Sequence, residues 1–208
     1  MADCTVSLSP GADIQPHIAA GAVICLAPGH YPGALRIDVP VTMQASGGAT
    51  LDAGGKGPVV HVTQNGIQVR ISGVTLTGGA AEFGAGLLVD AYAEVALDDV
   101  SFEGNEPGQG GGAAIGAIRG RLLMRDVRAS GNQDVVLDGV TEAAGDSVQL
   151  TGGLAVRDGA KVAFKGGTLG TVNVRGTTTR KPELVLEGVD AGQVTNHPTV
   201  PGVVRTQP

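Results

Sequence analysis

Apolar and polar residues alternate along this chain in short runs: Val69 and Ile71, Val95 and Leu97, Leu122 and Met124. Alternation of period two predicts strands with one buried face. After each pair the phase slips by one residue, at Gly73-Val74, Asp99-Val100 and Asp126-Val127. On a straight strand such a slip would turn every later side chain to the opposite face, so the pattern predicts a bend there. The frame itself recurs. Val95, Leu97, Val100, Phe102 and Asn105 fall on Leu122, Met124, Val127, Ala129 and Asn132, each 27 residues on, and Val69 precedes Val95 by 26. A repeat of that length marks a solenoid, whose units cannot bury their faces alone.

Further pieces of the repeat agree. Gly84–Val89 lies 27 residues before Gly111–Gly116, and Leu154–Phe164 echoes Leu87–Leu97. The fold class expected is therefore all-β: a single-stranded, right-handed parallel β-helix. It should have six or seven coils, about 30 Å in stacked height at ~4.8 Å per coil. Asn105 and Asn132 end their strands at equivalent turns. Asn tolerates left-handed geometry and bonds neighbouring backbone, so a short internal Asn ladder is expected, with two unrelated turn residues as the alternative.

At the N-terminus Ile14 and Ile18 stand one helical turn apart after Asp13, a suitable N-cap. Ile14–Ala20 should thus form a short helix capping the open edge of the first coil. Regular coils should run from about Val59 to Asn132; beyond that the spacings become uneven. Residues 1–193 are read as the solenoid with its cap, and residues 194–208 as a Pro-containing tail or linker.

Composition sharpens this picture. Glycine supplies 35 of 208 residues, against a usual ~7%. Charged residues make up 16%, with two Tyr, three Phe and no Trp. The 42% of hydrophobic residues in register argue against a Gly-rich disordered chain. A net charge of −6, with no basic cluster beyond Arg180-Lys181, argues against nucleic acid as a partner. No apolar run reaches membrane-spanning length, and no hydrophobic signal sequence is visible.

The segment from Ala12 to Arg36, ADIQPHIAAGAVICLAPGHYPGALR, resembles the opening of right-handed parallel β-helix proteins of the pectin-lyase-like superfamily. Phe102-Glu-Gly-Asn105 and Gly111-Gly-Ala-Ala-Ile115 resemble repeats of polymorphic outer-membrane proteins and autotransporter passengers. The second is interrupted by an extra Ala, and FxxN becomes Ala129-Ser-Gly-Asn132 in the next coil. This resemblance implies a secreted or cell-surface protein.

Candidate chemistry is sparse. Cys4 and Cys25, the only cysteines, are expected to form a disulfide, which implies export with a signal peptide removed; two buried thiols in a cytosolic protein are the alternative. Acidic residues gather at the corners, and Asp98, Asp99 and Asp126 are the candidate catalytic carboxylates. By register Asp99 stacks under Asp126, while Asp98 lies beneath Arg125 and should pair with it. Hydrolases of the resembling superfamily carry His and Arg-x-Lys partners beside such acids, and lyases a W-x-D-H strand; this chain has neither. The four His, at 17, 30, 61 and 197, lack the spacing of a zinc site, and no cofactor is implied. The expected function is a non-catalytic extracellular or cell-surface module, structural or adhesive, binding carbohydrate or another surface protein. It could also self-associate through its ends or faces. The alternatives are a small polysaccharide lyase or hydrolase, and a passenger or fibre segment of a larger assembly.

Overall fold

The computed structural model describes residues 3–130, 134–140 and 142–207. Its strands wind into a parallel β-solenoid of about nine turns, or roughly 43 Å of stacked height at ~4.8 Å per turn. The chain thus makes more turns than the six or seven expected. Three strand columns build the walls. The first runs from Val6–Leu8 through Ala22–Leu26, the long strands Val41–Asp52 and Gln68–Thr77, Glu94–Asp98 and Arg121–Arg125. It continues through Glu142–Leu150, Lys161–Leu169, Glu183–Glu187 and Val203–Gln207. The second face follows the bend, with Ser101–Glu103 between Thr75–Thr77 and Arg128–Ser130. The third face is an eight-stranded sheet from Leu35–Ile37 to Val194–Asn196.

The bend has a visible cause. Gly73, Asp99, Asp126 and Ser147 occupy the slip positions with φ of 69°, 52°, 51° and 56°. One left-handed residue between two extended segments redirects the strand while keeping both of its halves facing inward. At Gly73 no side chain would fit, since a Cβ would lie 2.2 Å from the Ala45 carbonyl oxygen. Asp is tolerated at the two following rungs because its short side chain suits the left-handed region.

Inside, identical register positions stack into columns: Val41, Val69, Val95, Leu122, Ala143, Val162 and Leu184 form one. Met43, Ile71, Leu97, Met124, Gly145, Phe164 and Leu186 form the next. All but Gly145 are buried hydrophobics of the core. Gly145 is the exception that fits: the Phe164 ring covers it so closely that a Cβ would meet Cδ1 at 2.1 Å. A large residue on one rung fills the space its neighbour leaves, as dense packing demands.

The expected capping helix does not form. Ile14–Ala20 makes only one 3₁₀ turn, Gln15–His17, and is extended again at Ile18. A segment this short cannot offset helix nucleation, and Pro16 removes a donor. The edge is covered differently. Ile14 is fully buried, and the Gln15 carboxamide acts as a strand: its Nε2 donates to the Arg36 carbonyl at 3.0 Å and its Oε1 accepts the Arg36 N–H at 2.8 Å. At the other end, the stretch read as a tail carries Val194–Asn196 and Val203–Gln207, which extend the third and first faces. No helix among the described residues is long and apolar enough to cross a membrane.

Candidate binding groove on the first face

Because register is kept between turns, outward side chains also stack in columns. On the first face three of them run side by side across the same rungs: Glu94, Arg121, Glu142; then Ala96, Leu123, Ala144; then Asp98, Arg125, Asp146. The outer two are charge ladders and the middle one is apolar. Arg121 donates to Glu142 at 3.0 Å and to Glu94 at 3.1 Å. Arg125 grips Asp98 with both ends of its fork, Nε to Oδ1 at 2.8 Å and Nη2 to Oδ2. Such two-pronged pairs are the strongest of surface ion pairs.

A groove of about 790 Å³ runs over this surface from Thr42 to Asp146. Ala96, Leu123 and Ala144 form its floor, and Asp98 and Arg125 line one bank. Arg70 lies one rung before Ala96 in the floor column and also lines the groove.

Of the three sequence-predicted carboxylates only Asp98 lines the groove. There the hydrogen bonds from Arg125 hold it below the usual carboxylate range against a smaller opposing effect of burial. An acid held ionised in this way is a poor proton donor at neutral pH. Asp99 and Asp126 stack on adjacent rungs of the bend, where each is the left-handed corner residue. Asp99 is largely exposed and accepts a bond from Arg128 at 3.2 Å. Local backbone geometry accounts for both.

Elsewhere, Cys4 and Cys25 form a disulfide with Cα atoms 5.7 Å apart. Asn105 is buried in the corner after the second face: its Oδ1 accepts the Gly79 N–H at 2.9 Å and its Nδ2 donates to the Leu76 carbonyl at 3.0 Å. Asn132, the other member of the expected ladder, lies outside the described residues. His61 pairs with Asp90 at 2.9 Å on the third face, an exposed contact. Among the described residues no three His, Cys, Asp or Glu side chains converge to hold a metal ion.

Sequence reasoning found the Asp98–Arg125 pair from its 27-residue spacing. It missed the groove floor and the ladder through Arg121, although Glu94 and Arg121 share that spacing. The signal was the outward half of the same alternation: the positions between the buried residues, taken rung by rung. No family model matches this chain, and neither do any of the curated proteins or solved structures compared with it.

Proposed function

We propose that this protein is a non-catalytic binding module, exported from the cell, that holds an extended polysaccharide along the first face. The observation that carries this reading is the groove itself: an apolar strip of Ala96, Leu123 and Ala144, about one side chain wide, with the hydrogen-bonding groups of Asp98, Arg125 and Asp146 along one bank. A sugar chain has the matching pattern, with apolar ring faces and hydroxyl edges. Glycoside hydrolysis requires a carboxyl group kept protonated opposite a second carboxylate. Here Asp98, the carboxylate on the groove's bank, is held ionised by an arginine, which supports retention over cleavage. The Cys4–Cys25 disulfide supports an oxidising compartment, in keeping with the resemblance to surface β-helix proteins.

Affinity electrophoresis through gels containing pectic, alginate or chitin-like polysaccharide tests this. At least one polymer should retard the wild-type protein with no release of reducing or unsaturated ends. Leu123→Glu, which puts a charge in the floor, should abolish retardation while the β-sheet circular dichroism is unchanged. Absence of retardation by every polymer, or product release that Asp98→Asn or Asp99→Asn abolishes, would overturn the reading.

A further inference from the structure

On the third face, near the C-terminal end, the outward column reads Asp138, Arg157, Arg175 on successive rungs, with His197 following by the same register. These residues line a second cavity of about 630 Å³, together with Asn173 and Thr195 from the neighbouring outward column. Its size is that of small-molecule sites. It opens on a different face from the groove and shares no residue with it.

The charges here are arranged unlike those of the first face. Arg121, Arg125 and Arg128 each hold a carboxylate. Arg157 and Arg175, among the described residues, have no side-chain hydrogen bond or ion pair, although both border the cavity. Two arginines on successive rungs, their backbones ~4.8 Å apart, give this part of the cavity an electropositive lining with donors to spare. His197 adds a donor of fixed identity. Its Nδ1 accepts the backbone N–H groups of Thr199 and Val200 at 3.3 and 3.4 Å. In the neutral ring the proton then sits on Nε2, which is left to donate.

The same column is acidic at its other end: Asp138 stands one rung before Arg157, Asp158 follows Arg157 at the corner, and both line the cavity. Burial, and then the Asp158 charge, push the Asp138 carboxyl above its usual range, against the pull of Arg157 and Arg180. A compact dianion such as phosphate, seated on the arginines, would meet repulsion from these adjacent carboxylates. A ligand with one carboxylate and several hydroxyls would not, because hydroxyls donate to carboxylates while its own anion takes the arginines. The geometry points to a site for an acidic sugar, a uronic acid whose carboxylate lies on Arg157 and Arg175 and whose hydroxyls face Asp138, Asn173 and Thr195.

The test uses methyl glucuronide as probe, with methyl glucoside and inorganic phosphate as comparison arms, read by chemical-shift perturbation on the full chain. Methyl glucuronide should shift the amides of residues 173–176 and 195–197 in a saturable way; the neutral glucoside should not, and phosphate should bind at least tenfold more weakly. Arg175→Ala should weaken glucuronide binding about tenfold, the effect of losing one charge-assisted hydrogen bond. Arg175→Lys, which keeps the charge but loses the fork, should restore only part of it. Lys165→Ala on the first face should leave the titration unchanged. Three results would each overturn the assignment: no saturable shift, glucuronide binding indifferent to Arg157→Ala and Arg175→Ala, or phosphate binding as well as glucuronide. Because Leu123→Glu disables only the groove, failure here is distinguishable from failure of the first-face reading.

Discussion

Asn105 shows how one side chain can tie two turns of a solenoid together. It is one of two buried polar residues among those described, the other being Gln44, and it satisfies an N–H and a carbonyl of the preceding turn at once. Both bonds are buried, so removing the amide leaves each backbone group with an unmet need. Asn105→Ala is therefore expected to destabilise by about 1–3 kcal/mol. Asn105→Asp should cost more, since it exchanges a donor for a charged acceptor facing the Leu76 carbonyl. Urea denaturation checks this: the midpoint should fall in the order wild type, Ala, Asp, with the slope unchanged. A variant equal to wild type would show that the corner is wet. Gly145 and Phe164 follow a complementary logic, in which a missing side chain is required because its neighbour's ring occupies the space.

At the scale of the strand, the exposed edge is the structural problem, since unpaired N–H and C=O groups recruit other chains. Gln15 addresses it at the start of the third face by presenting a primary amide where a strand would lie. Gln15→Leu keeps the volume and removes both bonds. It should speed hydrogen exchange at the Arg36 amide, lower stability by about 1 kcal/mol, and introduce concentration-dependent association in sedimentation. Unchanged exchange at Arg36 would refute the capping role. No helix signal could have revealed this cap, because the decisive feature is a side-chain contact 21 residues distant. The coils themselves were legible from Val69 to Met124, where large apolar residues mark every buried position. Past that point, turn lengths in the first column drop from 27 residues to 21, 19, 22 and 20. Two column positions become Ala143 and Gly145. Small residues carry no alternation signal, although the walls continue. Of the candidate site, the paired Asp98 and Arg125 could be read from spacing. The corner roles of Asp99 and Asp126 could not, because an acidic residue chosen for its φ looks like one chosen for its charge.

For the whole molecule, parallel rungs in constant register imply that stability is close to a sum over turns and the contacts between neighbours. One turn should then be removable if the columns are rejoined in phase. Deleting residues 94–120 joins Ala93 to Arg121, the turn that already brings the Arg121 N–H to the Ala93 carbonyl. It would place Val69 against Leu122 and Ile71 against Met124, pairings of the same kind as those each now makes with Val95 and Leu97. On the third face Leu87 would meet Val135 in place of Ile115. The deletion also removes Phe102, whose ring packs over Gly86, and Asn105 with its two bonds, so the remaining turns close with a small cavity and an unsatisfied corner. The expected product is a monomer with β-sheet circular dichroism and one cooperative thermal transition at a lower midpoint, having lost one turn and one interface. Trimethylamine N-oxide, which favours burial without new contacts, should raise that midpoint. A deletion protein without a cooperative transition even in the osmolyte would mean that the turns are not interchangeable, and that long-range contacts beyond adjacent rungs hold the solenoid together.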